Sequence, residues 1–251
     1  MRLAMHAEWT KLRTLPSNGW LLLTCVALTV GLSIMAVATV ICPSAACNLD
    51  PARVSLTGID LGQAVVVVLA VLAMGGEYSS GMIRVTLAAT PRRITVLAAK
   101  AAAVTGAVLA AGSVAVLASV LAGQVILPGH GLSLSLADGP VLRAVVGSIL
   151  YLALIGLLSL GVATAVKDSA VAIAVVLALL YLFPISAQVV SNPDWQQRLQ
   201  QIGPMTAGLA IQATIGLQSL PISPWAGLGV LAAWAAAALV VGGLLLWLRD
   251  A

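Results

Sequence analysis

Charged residues are scarce in this chain, and aromatic residues are scarcer still. Of its 251 residues, 8% are Asp, Glu, Lys or Arg and 4% are Phe, Tyr or Trp, with a single Phe. Because soluble globular domains carry about 25% charged residues, this composition excludes a water-soluble domain. The apolar residues are mainly Ala, Val and Leu in long runs, which excludes a transmembrane barrel, whose strands alternate apolar and polar residues. The architecture that remains is a set of helices that span a bilayer.

Six apolar segments are long enough, or nearly long enough, to cross a membrane. A helix needs about 20 apolar residues to span the hydrocarbon core, which is ~30 Å thick. The predicted spans contain no Lys, Arg, Asp or Glu and cover residues 20–41, 61–76, 101–122, 144–166, 170–190 and 225–248. The second span is short, and its ends are left open. The sequence therefore predicts an all-α, polytopic membrane protein with one transmembrane domain over residues 1–251.

The distribution of cations predicts how these spans are oriented. Six crossings place both termini on one side, and that side holds nine of the twelve Lys and Arg residues within 49 connecting residues. The other side holds three cations within 74 residues. Because cytoplasmic loops carry an excess of Lys and Arg, we expect the N-terminus and the C-terminus to be cytoplasmic.

Patterns typical of catalysis are missing from the sequence. His6 and His130 fall on opposite sides of the predicted membrane, so they cannot share a zinc site or a catalytic triad. None of the three lysines follows Gly in a phosphate-binding loop of the GxxxxGK[ST] type. We therefore predict that the chain has no metal site, is not an enzyme, and does not hydrolyse ATP through that motif.

Two segments on the predicted inner side have helical patterns. Residues 1–19 form an amphipathic pattern with Trp9 on the apolar face, which predicts an interfacial helix with Trp9 at headgroup depth. In the longest inner connection, residues 77–100, Tyr78 to Ala89 can form about three turns, with Ile83 and Leu87 on one face. The first helix either fixes the orientation of the chain in the membrane or docks a partner. The second is either a lever for a soluble partner or a solvated loop.

The predicted outer side carries one long loop, residues 191–224, which contains four prolines. Residues 194–201 are polar, whereas residues 205–217 form an apolar run too short to cross and typical of an interfacial or re-entrant helix. We expect two short extracellular helices before the last span. On the same side, four residues separate Cys42 from Cys47, and an oxidising exterior permits a disulfide between them. Whether the two cysteines are bonded is left open.

Several segments together resemble a known family. The chain resembles the permease subunit of type-2 ABC transporters, the exporter class, and in particular the small six-helix permeases of high-GC actinobacteria. The resembling segments are Glu8-Trp9-Thr10-Lys11-Leu12-Arg13, Glu77-Tyr78-Ser79-Ser80-Gly81-Met82-Ile83-Arg84, Thr90-Pro91-Arg92-Arg93 with Lys100, Ser223-Pro224-Trp225-Ala226-Gly227, and the terminal Arg249-Asp250-Ala251.

That resemblance implies a mechanism without a cofactor on this chain. In the family, the connection between the second and third crossings is a coupling helix that docks on a separate ATP-binding subunit, which holds the ATP and Mg²⁺. Two permease chains, as a homodimer or a heterodimer, assemble with two ATPases. The coupling residues implied here are Glu77, Tyr78, Met82, Ile83, Arg84 and Leu87. The implied inner-interface anchors are Trp9, Lys11, Arg13, Arg92, Arg93 and Lys100.

Within this scheme, Arg84 is expected to pair with an acidic or carbonyl group of the ATPase, and Glu77 to anchor the bend by pairing with a nearby cation. Both are alternatively solvated surface charges. The path between two permeases would be lined by the second and fifth spans, which are mostly Val, Ala and Leu and favour an amphiphilic or hydrophobic cargo such as a drug, antibiotic, peptide or lipid. The expected location is the bacterial plasma membrane, with lipid but no nucleic acid as a further partner.

Two other classes share parts of this pattern. A stand-alone secondary carrier or a membrane-embedded enzyme would need titratable residues inside the bilayer, and the predicted spans supply none. A non-transporting membrane partner of an ATPase would share every feature described above. Nucleotide-dependent transport distinguishes an exporter from both alternatives.

Overall fold

The fold is described from a computed structural model that covers residue 10 and residues 16–40, 49–79, 81–82, 93–130 and 132–249. In this part of the chain all regular elements are helical. The α-helices are α1 (Pro16–Ala38), α2 (Pro51–Ser55), α3 (Ile59–Ser79), α4 (Arg93–Ile126), α5 (Gly139–Val166), α6 (Ser169–Val189), α7 (Pro193–Ile202), α8 (Pro204–Leu209) and α9 (Pro224–Arg249). Short 3-10 turns cover Leu127–His130, Ala210–Gln212 and Leu217–Ser219.

Six of these helices are long and apolar enough to cross a membrane, namely α1, α3, α4, α5, α6 and α9. This confirms, for the described residues, the prediction of an all-helical fold with six helices that could cross a membrane. The 21 residues of α3 rise about 31 Å, which matches a hydrocarbon core of ~30 Å. The second predicted span, which looked short, therefore reaches full length because the helix includes polar residues at both of its ends.

Helices α5 and α3 form the centre of the bundle. Within the most apolar 18-residue window of each helix, 67% of residues are buried in α5 and 61% in α3, against 22% in α1, α6 and α9. Helix α5 packs against α9, α3, α4 and α6, while α1 packs against α4 and α3. The outer helices consequently present most of their apolar surface to whatever surrounds the chain.

Two glycines let α5 and α9 come into backbone contact. A β-carbon added at Gly161 would lie 2.5 Å from the carbonyl carbon of Ala238, and one added at Gly242 would lie 2.6 Å from the carbonyl oxygen of Gly161. Both distances are too short for any side chain. Small residues at such positions are the usual means by which membrane helices pack closely.

The bundle has two distinct ends. The terminal end carries the start of α1, the end of α3, the start of α4, the turn between α5 and α6, and the end of α9. The loop end carries α2, the start of α3, the start of α5, α7, α8 and the start of α9. The two short helices in residues 191–224 are α7 and α8, so the polar and apolar halves of that loop both contain helix.

Candidate functional site

A buried ion pair joins the end of α3 to the start of α4 at the terminal end. The ammonium of Lys100 donates to Glu77 Oε1 over 3.0 Å, and the two side chains are 2% and 8% exposed. Glu77 lies in the last turn of α3, and Lys100 lies two turns into α4. The pair therefore holds together the two helices that flank residues 80–92, the segment that contains four of the six predicted coupling residues.

Burial makes this pair costly to break. Taking two charges out of water is offset only by close pairing, and removal of one partner from a buried pair typically costs about 3–5 kcal/mol. The Glu77–Lys100 contact therefore fixes the spacing of α3 and α4 more firmly than an exposed ion pair would, because exposed pairs contribute about 0–1 kcal/mol.

A second contact at the same end joins the turn between α5 and α6 to α3. Lys167 ends α5 in a left-handed conformation, with φ of 64°, which is uncommon for a residue with a side chain. Its ammonium lies 5.7 Å from the centroid of the Tyr78 ring, within the range of a cation–π interaction. The next residue, Asp168, accepts a 2.8 Å hydrogen bond from the amide of Val171 and so caps α6.

Close packing reinforces that contact one turn earlier in α3. A β-carbon added at Gly75 would lie 1.9 Å from the hydroxyl of Ser169, the first residue of α6. Helices α4, α5 and α6 are thus all attached to the last two turns of α3. We call the Glu77–Lys100 and Tyr78–Lys167 contacts the terminal brace.

The structure places only some of the predicted coupling residues. Glu77 and Tyr78 lie inside α3, which continues to Ser79, and Met82 is exposed just beyond it, with 48% of its surface accessible. Glu77 is buried and pairs with Lys100. The coupling residues Ile83, Arg84 and Leu87 lie outside the described residues.

The predicted anchors are divided in the same way. Lys100 is a buried partner of Glu77 rather than a side chain at the lipid interface, because α4 begins seven residues earlier, at Arg93. Outside the described residues lie Trp9, Lys11, Arg13 and Arg92, together with both cysteines of the possible disulfide, Cys42 and Cys47. The interfacial helix predicted over residues 1–19 also falls there, apart from Thr10 and the first residues of α1.

Sequence reasoning missed Lys167 as a member of this site. The available signal was that Lys167 and Asp168 interrupt two long apolar runs on the same predicted side as Glu77. That signal predicts a turn, but it does not say which side chain the lysine meets. The brace has one carboxylate and two ammonium groups, and what the arrangement can do is mechanical: it attaches the ends of α4, α5 and α6 to the end of α3.

A buried polar cluster lies at the other end of α3. The phenol of Tyr151 donates to Gln63 Oε1, and Gln63 Nε2 donates to the carbonyl of Asp60 over 3.1 Å and lies 3.3 Å from Met205 Sδ. The phenol of Tyr181 also donates to the Asp60 carbonyl. Gln63 and Tyr151 are fully buried. The cluster joins α3 to α5, α6 and α8 through hydrogen bonds inside the bundle.

Comparison of the chain with protein-family models and with curated protein sequences gave no match.

Proposed function

We propose that this chain is the permease subunit of an ABC exporter in the bacterial plasma membrane. It moves an amphiphilic or hydrophobic cargo out of the cell, and a separate ATP-binding subunit docks on residues 77–100 and supplies the energy. The observation that carries the proposal is the terminal brace. A segment that transmits force needs both of its ends fixed to the moving helices, and here the two helices that flank residues 80–92 are joined by a buried ion pair.

The brace supplies a physical route for coupling. A displacement applied to residues 80–92 acts on α3 and α4 together through Glu77 and Lys100, and on α5 and α6 through Tyr78 and Lys167. ATP binding can bias a transporter between two states only if the partner contacts those states differently. Rigid attachment of four helices to the docking segment converts a local displacement into a movement of the bundle.

The exposed apolar helices support a second permease chain and an apolar path. Helix α6 exposes Val171, Val175, Leu182 and Ile185, all between 45% and 63% accessible. Since α3 exposes only a few such residues, the path between two copies would be lined chiefly by α6. Its valine and leucine side chains suit an amphiphilic cargo better than a highly charged one.

The decisive experiment purifies the tagged chain from its native membranes and measures how much ATP-binding cassette subunit is recovered with it, and how fast that complex hydrolyses ATP. The variant Arg84→Glu reverses a charge in the proposed docking segment, and Arg53→Glu makes the same change at the loop end. We expect Arg84→Glu to lower recovery and ATP hydrolysis at least fivefold, and Arg53→Glu to leave both unchanged. Equal recovery with both variants would contradict docking on this segment.

A stand-alone secondary carrier is the second candidate, and one observation favours it. Asp60 lies in the first turn of α3, inside the membrane-spanning length of that helix, and its carboxylate is partly buried. Ionisable residues within spanning helices often mark ion pathways. Transport driven by a proton gradient in vesicles that contain only this chain, and lost in Asp60→Asn, would establish the carrier and refute the exporter.

A further inference from the structure

One carboxylate in a spanning helix has no direct partner among the described residues. In the described parts of the six spanning helices the acidic residues are Asp60 and Glu77. Glu77 pairs with Lys100, whereas the hydrogen bonds accepted at Asp60 all reach its backbone carbonyl and leave the carboxylate itself unpaired within the described chain. Ionisable residues in a spanning helix are costly, and they commonly mark the pathway of an ion or a substrate.

Asp60 lies below the end of the spanning length, although it is the second residue of α3. The phenol of Tyr181 donates to the Asp60 carbonyl, and Tyr181 precedes the end of α6 by eight residues, or about 12 Å. At the terminal end, Gly75 meets Ser169, the first residue of α6. Asp60 precedes Gly75 by fifteen residues, whereas α6 continues for twenty residues beyond Ser169, so Asp60 falls about 8 Å short of the end of α6. Since α6 is about as long as the hydrocarbon core is thick, the carboxylate lies roughly 8–12 Å inside that core.

The carboxylate has aromatic neighbours on two helices. Its charge acts on the phenols of both Tyr151 in α5 and Tyr181 in α6. Tyr151 is fully buried and donates to Gln63, one turn along α3 from Asp60, so it closes this region on the inside of the bundle. Tyr181 is only half-buried. Because aromatic rings attract organic cations, and most strongly away from water, these neighbours favour a positively charged group with apolar substituents.

The arginines of the loop end do not supply that positive charge by direct contact. Arg143 donates to a backbone carbonyl of another segment, and Arg198 lies 5.6 Å from the centroid of a tryptophan ring in its own helix, α7. Within the part of the chain that the structure describes, Arg53 of α2 acts on the charge of Asp60, but it is exposed and forms no ion pair with it. Residues 41–48, outside the described residues, contain no Lys, Arg or His. Direct compensation of the carboxylate therefore requires a proton or a cation from outside the chain.

The region around Asp60 is open to the surface of the bundle. Asp60 itself is half-buried, and the residues that follow Asp60 in α3 and Tyr181 in α6, namely Leu61 and Leu182, are 50% and 63% exposed. Helix α6 is also the helix that chiefly lines the proposed path between two copies. A molecule that reaches Asp60 from that path meets apolar side chains first and the negative charge afterwards. This arrangement suits an amphiphile whose single charge is positive, whereas a proton would need neither the aromatic neighbour nor the exposed leucines.

We propose that Asp60 and Tyr181 form a binding site for a monovalent organic cation with an apolar body, and that such cations are the cargo of this chain. The carboxylate pairs with the positive charge, the Tyr181 ring and the exposed leucines contact the apolar body, and Tyr151 is a positioning residue behind them. The binding site is a property of the chain alone, whereas export of what it binds rests on the proposed function. The two parts are tested separately.

Binding of tetraphenylphosphonium, a monovalent cation with four apolar rings, tests the site. The chain is placed in nanodiscs of phosphatidylcholine, which has no net charge to attract the probe, and saturable binding is measured against empty nanodiscs. Asp60→Asn keeps the shape of the side chain and removes its charge, so the affinity should fall at least tenfold. Asp138→Asn is the matched control and should stay within twofold, because Asp138 is exposed at the same end and makes no side-chain capping bond. Equal affinity in Asp60→Asn and the unmodified chain would overturn the site.

Competition on the unmodified chain keeps the test decisive if Asp60→Asn does not fold. Unlabelled tetraphenylphosphonium should displace the labelled probe at least tenfold better than triphenylphosphine oxide, which has similar rings but no net charge. Equal competition would show that only apolar shape is recognised, and it would overturn the pairing with Asp60. Displacement by Na⁺ at the same concentration as the unlabelled probe would assign the carboxylate to a small inorganic cation and would also overturn the proposal.

Inverted membrane vesicles that contain the chain with its ATP-binding subunit test export. With the membrane potential collapsed, ATP should drive accumulation of the probe, and Asp60→Asn should lower the initial rate at least fivefold, whereas Asp138→Asn should not change it. An intact complex that hydrolyses ATP but accumulates no probe, or that accumulates it equally in Asp60→Asn, would overturn the assignment of the cargo. Failure to recover any ATP-binding subunit would refute the proposed function, and the nanodisc measurement would still decide whether the binding site exists.

Discussion

The most direct test of the terminal brace is removal of one charge from its buried ion pair. Lys100→Met keeps the length and apolar stem of the side chain but takes away the ammonium that lies 3.0 Å from Glu77 Oε1. The Glu77 side chain is only 8% exposed, so water cannot replace the lost ammonium without a local opening of the bundle. From buried pairs of this kind we expect the free energy of unfolding to fall by about 3–5 kcal/mol, roughly a 100- to 5,000-fold shift in the unfolding equilibrium.

The assay is reversible unfolding of the purified chain in mixed micelles, followed by tryptophan fluorescence. Two controls separate charge from packing. Arg53→Met removes an exposed cation at the loop end and should change stability by less than about 0.5 kcal/mol. The double variant Glu77→Met with Lys100→Met removes both charges and should regain most of the loss, because apolar replacement of a whole buried pair is often neutral or stabilising. A single variant as stable as the unmodified chain would show that the pair is hydrated, and the argument for a rigid brace would fail.

Three further variants probe other contacts, each measured by the same unfolding assay. Gly161→Leu places a side chain where the backbone of α9 lies 2.5 Å from the new β-carbon, so it should lower the free energy of unfolding by more than the about 1–3 kcal/mol usual for overpacking. Gly229→Leu is the control, because a β-carbon there has nothing within 4 Å, and it should lower that free energy by less than about 1 kcal/mol. Tyr151→Phe leaves the buried carbonyl of Gln63 without its donor and should cost about 1–3 kcal/mol; a neutral result would mean that water occupies the site. Lys167→Gln removes the charge above the Tyr78 ring and should lower the free energy of unfolding by about 0.5–2 kcal/mol. High salt should not lower the stability of the unmodified chain by the same amount, because salt does not screen a desolvated contact.

Helix α3 connects the terminal brace to the loop end of the bundle. Its first turn follows α2, which Asp50 caps, and its last turn carries Glu77 of the terminal brace. The helix is about 31 Å long and mostly buried. A displacement at the brace would therefore reach the loop end along a single helix, as the proposed coupling to an ATP-binding subunit requires.

The number of spanning helices could be predicted because it depends on local sequence. Each span is a run of apolar residues of about the length that a bilayer requires, and no contact between distant residues is needed to recognise it. The residues at which the helices end could not be predicted as well from the same local pattern. The second predicted span stops at residue 76 because Glu77 is charged, whereas α3 continues to Ser79 because that charge is paired with Lys100 inside the bundle.

The contact partners of individual residues could not be predicted from the sequence either, because they too depend on tertiary packing. Gly58 and Gly62 form a GxxxG pattern that is compatible with contact within a chain or between chains. In the fold, both pack against Thr29 of α1, and the Gly58 amide donates to Ser33 Oγ over 3.1 Å, so this contact is within the chain. The GxxxG pattern itself indicates only that another helix can approach closely at these two glycines.

The sequence alone determined that the chain is apolar enough for a lipid bilayer, that six of its segments are long enough to cross one, and which stretches stay outside these long spans. Those properties follow from the apolar length of each segment, which is read residue by residue. Only the tertiary structure decided that Lys100 meets Glu77, that Lys167 covers Tyr78, and that Asp50 holds Thr214 across 164 positions of the chain. These contacts depend on how helices rotate and pack against one another, and that choice is made by the bundle as a whole.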